Sequence, residues 1–570
     1  MKRNLILPLV MLLGIVGCNN NSNSSSTSSP SSDINVILDV PEEDKISPEQ
    51  GDWVFTDYND NYAEYNTDKW YVNDLKHLPL PDPYVIEHEG VYYIYGTTDR
   101  TGSRTFDCYE TTDFNHFTLH KDIYVRTKGV WSGTTTGMFA PEVMKFNDQF
   151  YLYYSAVSVN EHGNEGLRYI DVLVSDSPTG PFTEYHGTDY YGNELDGFKS
   201  PLFRHNDSIH LSVLDQTMFV DDDGKMYMYY SVYDTNKSQY IVGFEMLDPV
   251  TPNWDTYKIL VRPGEPSAAN TTTKRYWWEA YTDFEVAEGP QMIKSPNGKY
   301  YLTYSVNHYP NKYYTVCYAV SDSPLGDYTK PYEKDGQWTN LLFGYAGGMA
   351  GTSVYEKWDG FMSGTAHHCF FKIGDQNMIG YHAHSNRKGD SGRMFGMDKL
   401  FFDKDGVPFC QGPTATIQTL PEAISGYKNI APDARVYASP SILHPERIND
   451  NFISEHYNLP QEKDTEVTFP AERCYIELKF DKEYEIGGIQ IMNSATFGKH
   501  LEAIDYINFF NDNAIIDATI NFEHVNYDKE FIFPTSGFTF DIEGIRADRV
   551  VVCIENGAEF NLNEIIVLGK

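Results

Sequence analysis

The sequence predicts an all-β protein in which a five-bladed β-propeller is followed by a β-sandwich. One observation is a hairpin pattern that recurs five times before residue 420, and a second is a series of short alternating strands after residue 426. The third is length, because 570 residues exceed the size at which one hydrophobic core keeps growing. We therefore expect two folded domains.

The recurring hairpin consists of a short apolar strand, a turn residue and a strand rich in tyrosine and other aromatic residues. Successive copies are separated by roughly 60 to 80 residues, a spacing typical of the blades of a propeller. We assign residues 75–420 to the propeller; a β-sandwich whose hairpins resemble one another by chance is the alternative. The turns of the five copies begin at Gly90, Asp148, Gly224, Gly298 and Asp375.

The first 32 residues have the pattern of an export signal followed by a tether. Two basic residues precede an apolar run over residues 5–16, which is too short to span a bilayer. Residues 15–18 (IVGC) resemble the lipobox of bacterial lipoproteins, in which the cysteine is acylated. We predict a lipoprotein signal peptide over residues 1–18 with lipidation at Cys18, and a Ser/Asn-rich tether over residues 19–32. The predicted location is the cell envelope, on the periplasmic side or at the cell surface, with a membrane contact through the lipid; an ordinary signal peptide is the alternative.

Composition excludes some classes of function. The chain has 44 basic and 81 acidic residues, and a net charge of −37 repels nucleic acids. Aromatic residues make up 15% of the chain, which is compatible with flat surfaces for sugars. Six cysteines besides Cys18 show no CxxC spacing, so neither a zinc site nor a disulfide framework is predicted.

Aligning the five hairpins places a chemically distinctive residue at or just before the start of each inner strand. The inner strands of a propeller meet around its axis, and acids brought together there shift each other's pKa values. Hydrolysis of a glycosidic bond needs one protonated acid and one ionised carboxylate, which two such acids can provide. The aligned residues are Asp82, Glu142, Asp215, Glu288 and His367.

Four segments resemble, in order, the motifs of the first four blades of glycoside hydrolase family 43, whose members are five-bladed propellers. The resemblance implies that Asp82 is the general base, Glu288 the general acid and Asp215 the residue that tunes the pKa of the acid. It also implies that Phe139 and Glu142 bind substrate. The four segments are residues 80–85 (LPDPYV), 139–143 (FAPEV), 214–224 (LDQTMFVDDDG) and 288–294 (EGPQMIK).

Two further residues are assigned by the same resemblance. Arg393 corresponds to a substrate-binding arginine that reaches the active site, although Arg387 is a second candidate. Residues 364–368 (GTAHH) resemble a fifth-blade segment whose histidine, here His367, contacts calcium in some members. Ala366 replaces the usual glycine, and a histidine packed or hydrogen-bonded in the channel is the alternative. The predicted chemistry requires no cofactor, and a structural calcium ion is the one metal considered.

The remaining segments flank the propeller. Residues 33–74 show no periodicity and are predicted to wrap the propeller as an N-terminal extension. Residues 426–570 resemble the discoidin-like sandwiches, also known as coagulation factor type C domains, from residues 429–431 (NIA) to residues 562–569 (LNEIIVLG). Such a domain binds sugar through loops at one end, or serves a structural role against the propeller.

The family resemblance implies an enzyme that hydrolyses plant cell-wall polysaccharide and releases α-L-arabinofuranose with inversion, whereas the residues themselves indicate only the acid–base chemistry. The carboxyl groups of Asp82 and Glu288 are then expected to be roughly 6.5 to 9.5 Å apart. A β-xylosidase and a hydrolase of galactan or galactofuranosides are the alternatives within the family. A non-catalytic, glycan-binding surface lipoprotein is the alternative from another class.

Overall fold

The computed structural model of the protein describes most of the chain from residue 68 onward. The described residues are 68–73, 78–99, 102–133, 137–159, 166–204, 211–233, 239–269, 276–280, 285–310, 312–331, 340–344, 363–384, 392–410, 412–414, 417–452, 466–493, 501, 504–512, 514–521, 537–555 and 557–570. Cys18, the predicted signal peptide, the tether and most of the N-terminal extension therefore lie outside the described residues. Within the described part of the chain, no helix is long and apolar enough to cross a membrane.

Five four-stranded antiparallel sheets follow one another along the chain and form five blades. Blade 1 contains Tyr84–His88, Val91–Thr97, Thr105–Thr111 and Thr118–Val125; blade 2 contains Met138–Phe146, Gln149–Val157, Arg168–Ser175 and Thr183–Glu184; blade 3 contains Ser212–Val220, Met226–Tyr233, Gln239–Asp248 and Thr251–Val261; blade 4 contains Ala287–Lys294, Tyr300–Val306, Thr315–Ser321 and Leu341–Gly344; blade 5 contains Ser363–Ile373, Gln376–His384, Arg393–Phe402 and Pro408–Cys410. The first strand of each blade contacts the first strand of the next, and that of blade 5 contacts that of blade 1. The predicted five-bladed propeller is confirmed.

Short elements complete this part of the chain. A two-stranded sheet pairs His186–Thr188 with Glu194–Asp196, and another pairs Trp70–Tyr71 with Gln418–Thr419. The helical elements are a four-residue α-helix, Glu422–Ser425, and the 3₁₀ turns Trp277–Ala280, Ala431–Asp433 and Pro445–Arg447.

Near the start of every first strand lies a residue in the left-handed backbone conformation. In blades 2 to 5 this residue lies within a β-bulge, where the first strand contains one residue more than the strand with which it pairs. The five residues have φ values between 45° and 55°: Asp82, Ala140, Asp215, Gly289 and His367.

This geometry corrects the alignment expected from the sequence. Asp82, Asp215 and His367 occupy equivalent positions in their blades, but Glu142 lies two residues after Ala140, and Glu288 lies one residue before Gly289. Blades 2 and 4 have the same bulge as blade 3, so the difference lies in where each acid stands relative to it: Glu288 is the last paired residue before the bulge, and Glu142 is the first paired residue after it.

The backbone N–H of the left-handed residue is held by the blade before it. At three junctions the acceptor is a hydroxyl near the end of the preceding second strand, and between blades 5 and 1 it is the ring of a histidine. The hydrogen bonds run from Ala140 N to Thr97 Oγ1 (2.9 Å), from Asp215 N to Ser155 Oγ (3.0 Å), from His367 N to Ser305 Oγ (2.8 Å) and from Asp82 N to His382 Nδ1 (3.1 Å).

The segment that precedes blade 1 lies along blade 5 and joins the two ends of the ring. Phe395 N donates a hydrogen bond to Leu78 O over 2.9 Å, and Pro79 pairs with Met394 as an isolated bridge. The Asn73 amide exchanges two hydrogen bonds of 2.9 Å with the backbone of Met397. The ring is therefore closed by backbone pairing between distant parts of the chain.

The C-terminal domain is an eight-stranded antiparallel sheet folded over one core. Its strands are Lys428–Asn429, Arg435–Ala438, Val467–Phe469, Arg473–Asn493, Tyr506–Asn511, Ala514–Asn521, Gly537–Glu555 and Phe560–Gly569. The two longest strands are interrupted by bulges near their middle, and side chains from both halves pack into a single hydrophobic cluster. The predicted β-sandwich is therefore present, and Cys474 and Cys553 are buried free thiols in it.

Trp70 lies between the propeller and the sandwich. Its side chain is 2% exposed and packs with Ile417, Met492 and Ile566. A Cβ atom on Gly488 would lie 2.5 Å from the Trp70 ring, so only glycine fits there. The neighbouring Lys69 ammonium group donates a hydrogen bond of 3.0 Å to Gly487 O.

We predict that Trp70→Ala lowers the free energy of unfolding by about 3 to 5 kcal/mol, because it leaves a cavity where the two domains meet. Denaturant-induced unfolding followed by circular dichroism measures the change. Tyr190→Ala is the control, since that side chain is 66% exposed and its loss should change stability by less than about 0.5 kcal/mol. Equal stability of Trp70→Ala and the wild type would contradict this account of the interface.

Candidate active site

A pocket with a volume of about 370 Å³ opens where the first strands begin. Because the strands of a blade are antiparallel, the loops that join second to third strands also reach this end of the propeller. Six of the residues predicted from the sequence line the pocket: Asp82, Phe139, Asp215, Glu288, His367 and Arg393.

Asp82 is held as an ionised carboxylate. Its Oδ1 accepts a hydrogen bond of 2.7 Å from Arg393 Nη1, and its Oδ2 accepts one of 2.6 Å from the Thr97 hydroxyl. Burial by itself would raise the pKa of Asp82, but the charge of Arg393 and the nearby His367 and His382 outweigh it and hold the pKa well below its usual value. Asp82 is therefore suited to accept a proton.

Glu288 is equally buried but has the opposite pKa shift. Burial raises the pKa of Glu288 to about 7, and the charge of Asp82 acts in the same direction. The Tyr314 hydroxyl donates a hydrogen bond of 2.8 Å to Glu288 Oε1, which opposes the shift and fixes the carboxyl group in place. Glu288 therefore retains a proton close to neutral pH and is suited to donate it.

Asp215 lies close enough to Glu288 for the charge of Glu288 to act on it. Burial raises the pKa of Asp215 well above its usual value, and the charge of Glu288 adds to the shift. The backbone N–H of Gly289 donates a hydrogen bond to the Asp215 carboxylate and favours its charged form. At this junction the hydroxyl of Ser231 donates to Ala287 O over 3.1 Å.

Gly289 cannot be replaced without strain. Its φ is +54°, and a Cβ atom would lie 3.3 Å from the ring of His367. A glycine thus allows both the left-handed backbone and the close approach of the His367 ring.

The structure places Arg393 in the pocket, while the alternative Arg387 lies outside the described residues. The Arg393 guanidinium contacts Asp82, as described above, and lies 4.8 Å from the centre of the Tyr309 ring. Its binding to substrate stays a prediction, as does that of Phe139.

Glu142 differs from the other predicted residues, because it is not among those that line the pocket. Its carboxylate is buried and accepts a hydrogen bond of 2.6 Å from Gln291 Nε2. The left-handed Ala140 is the blade 2 counterpart of Asp82, and Glu142 is one of the residues that follow the bulge. The position of Glu142 outside the pocket lining does not support a contact with substrate, and that contact stays a prediction.

His367 lies beside the base, with its Nδ1 at 3.3 Å from Asp82 Oδ1. Calcium requires about six to eight oxygen ligands. Among the residues that the structure describes, no three His, Cys, Asp or Glu side chains converge to hold a metal ion. These side chains do not fit a protein-ligated calcium ion, and calcium at His367 stays a prediction.

Sequence reasoning missed the pocket residues that come from the loops between second and third strands. Their common signal is position, since each lies next to the end of a second strand or the start of a third strand on the side where the acids lie. They include Arg168, Tyr233, Gln239, His308, Tyr309 and Tyr314.

His382 is a further residue that the sequence did not indicate. Its ring is fully buried and stacks against the rings of Tyr314 (centroids 5.6 Å apart) and His367 (centroids 5.9 Å apart). Burial lowers the pKa of His382 to about 3, so the ring is neutral and its Nδ1 can accept the N–H of Asp82.

Comparison with known proteins finds glycosidases among the relatives of this chain. Xylosidase/arabinosidase 43A of Humicola insolens is 24% identical over 60% of this chain and 98% of its own length. A β-D-galactofuranosidase of Aspergillus niger is 24% identical over 44% of this chain, and an extracellular endo-α-(1→5)-L-arabinanase of Thermotoga petrophila is 24% identical over 44%. The matches span 64% and 51% of those two proteins.

Among solved structures, a thermostable family-43 glycoside hydrolase is 28% identical, with 61% of this chain and 98% of that chain covered and a TM-score of 0.46. An endo-1,4-β-xylanase from Bacteroides thetaiotaomicron is 29% identical, with 59% and 96% covered and a TM-score of 0.44. Residues 71–408, more than half of the chain, match the family model described as Glycosyl hydrolases family 43. The protein therefore belongs to glycosyl hydrolases family 43 and is an enzyme that hydrolyses glycosidic bonds.

Proposed function

We propose that the protein releases α-L-arabinofuranose from plant cell-wall polysaccharide with inversion of configuration. In this proposal Asp82 is the general base, Glu288 is the general acid and Asp215 tunes the pKa of the acid. The observation that carries the proposal is the opposite pKa shift of Asp82 and Glu288 within one pocket.

The contacts of Asp82 and Glu288 support different roles for the two residues in the reaction. Protonated Glu288 donates its proton to the oxygen of the departing sugar, while ionised Asp82 removes a proton from the attacking water. Arg393 and Thr97 orient the Asp82 carboxylate, and Tyr314 orients the carboxyl group of Glu288. Water attacks on the face opposite the leaving group, which inverts the anomeric centre.

The substrate is proposed from the relatives and from the size of the pocket. The relatives named above include a xylosidase/arabinosidase and an arabinanase. A galactofuranosidase is also among them, so a β-D-galactofuranoside is an alternative substrate. A volume of about 370 Å³ is at the lower end of the roughly 300 to 1,000 Å³ usual for ligand pockets. This size supports release of one terminal sugar.

Two proposals concern the rest of the chain. We propose that acylated Cys18 anchors the enzyme in the cell envelope, with residues 19–32 as the tether. Release from membranes by detergent, and not by high salt, would support the anchor.

We also propose that the sandwich is discoidin-like and binds sugar. Retention of the isolated domain on immobilised arabinan would support sugar binding.

A panel of aryl glycosides tests the substrate. We expect the highest kcat/KM on the α-L-arabinofuranoside, and lower values on the β-D-xylopyranoside and the β-D-galactofuranoside. Proton NMR of the first-formed sugar should show the inverted anomer. Retention of configuration would reject the roles given to Asp82 and water, and a preference for xylose would reject the arabinofuranose assignment alone.

Glu288→Gln should separate substrates by their leaving groups, because glutamine keeps the shape of the side chain but has no acidic proton to donate. Hydrolysis of substrates with poor leaving groups should slow by roughly a hundredfold or more, whereas an activated aryl glycoside should lose much less. Glu89→Gln is the matched control, since that side chain is 83% exposed in a turn at the other end of blade 1. Equal slowing of good and poor leaving groups would remove Glu288 from the role of acid.

Asp215→Asn should move the alkaline limb of the kcat/KM profile to lower pH. The limb reports loss of the Glu288 proton. The negative charge of the Asp215 carboxylate, whose charged form the Gly289 N–H favours, holds that proton to higher pH, so without this charge Glu288 should release it at lower pH, by about one unit or more. The exposed Asp222→Asn variant controls for the change of net charge. An alkaline limb at the wild-type pH would show that Asp215 does not tune the acid.

A further inference from the structure

The pocket has a buried end and an exposed end. The three acids Asp82, Asp215 and Glu288 are 6% to 8% exposed, whereas Tyr309, which lines the same pocket, is 44% exposed. A sugar that is cleaved must lie among the acids, so the part of the substrate that leaves must extend toward the exposed end. Tyr309 therefore marks the mouth of the pocket.

The Tyr309 ring is held in a defined orientation although it is exposed. The Arg393 guanidinium lies 4.8 Å from the ring centre, and the His308 ring lies 5.1 Å away at an angle of 72°. The backbone is fixed as well, since Tyr309 O lies 2.9 Å from His384 Nε2. An exposed aromatic ring with such fixed neighbours loses little conformational entropy when it binds a ligand.

Arg393 lies over one face of the Tyr309 ring. The residue is nearly half exposed, and it lines the pocket together with the aromatic side chains of Phe139, Tyr233 and Tyr314. Flat aromatic faces pack against the C–H faces of sugar rings, and exposed apolar surface in a cleft commonly marks a binding site.

We propose that Tyr309 is the stacking platform for the second sugar of the substrate, the unit that departs when the glycosidic bond breaks. This inference rests on the proposed function, because it takes the terminal sugar to lie between Asp82 and Glu288. The ligand class is a neutral oligosaccharide whose second ring lies on the open face of Tyr309. Arg393 then serves both sites, because it donates a hydrogen bond to Asp82 and lies over the Tyr309 ring.

The experiment compares substrates that differ only in the leaving group. α-L-Arabinofuranosyl fluoride has no ring in its leaving group, whereas α-(1→5)-arabinobiose has a second sugar. In Tyr309→Ala, kcat/KM for the disaccharide should fall about threefold to tenfold, mostly through KM, as loss of an aromatic contact of about 0.5 to 1.5 kcal/mol implies. The value for the fluoride should stay within about twofold of the wild type.

Two variants serve as controls. Tyr309→Phe keeps the ring and should retain the wild-type ratio between the substrates. Tyr191→Ala removes a tyrosine that is 68% exposed and outside the pocket lining, and should change neither value. Thermal melting of each variant separates a folding defect from a loss of binding.

The results distinguish the inference from the function on which it rests. An equal loss on fluoride and disaccharide in Tyr309→Ala would mean that Tyr309 acts only by supporting Arg393 and would overturn the platform. Unchanged hydrolysis of the disaccharide would overturn it as well. If the wild-type enzyme turns over neither arabinose substrate but is active on another glycoside, the proposed substrate is wrong, and the comparison applies to the fluoride and disaccharide of that sugar.

Discussion

The geometry of the active site depends on one backbone constraint, the left-handed residue at the start of each first strand. Its φ is unfavourable for a residue with a side chain, and it persists because the N–H is held by the preceding blade at four of the five junctions. The turn of the backbone aims Asp82, Asp215 and His367 at the pocket. At the remaining junction, between blades 3 and 4, the N–H of Gly289 is directed to the carboxylate of Asp215, so the hydrogen bond there acts on an acid.

The difference between the two proposed catalytic acids arises from their neighbours and not from their depth. Asp82 and Glu288 are 7% and 8% exposed, so burial opposes the charged form of both. Arg393 lies against Asp82 and compensates for burial, whereas Glu288 has the neutral hydroxyl of Tyr314 as a hydrogen-bond partner. Arg393, together with His367 and His382, lowers the pKa of Asp82 below its usual value, while the pKa of Glu288 in the same pocket is raised to about 7.

The blades could be predicted because their signal is local: a turn residue followed by aromatic alternation occurs within about ten residues. The convergence of Asp82, Asp215, Glu288 and His367 followed from the symmetry of the fold. The positions of Glu142 and Ala140 could not be predicted, since a bulge leaves no mark in hydrophobic alternation. Tyr314 and Gln239 were missed for a related reason, because they lie beside loops whose lengths differ from blade to blade and carry no periodicity.

The junction between blades 5 and 1, where the ring closes, lies at the proposed catalytic centre. Asp82 belongs to the first blade made during synthesis, yet His382, 300 residues later in the chain, and Arg393, 311 residues later, hold its backbone and carboxylate. The segment around Leu78 and Pro79 reaches its place only by pairing with the third strand of blade 5. Asp82, the proposed base, is thus the earliest of the proposed catalytic groups to emerge, and its environment is complete only when blade 5 has folded. Such long-range contacts form late in folding, so hydrolytic activity itself reports that the ring has closed.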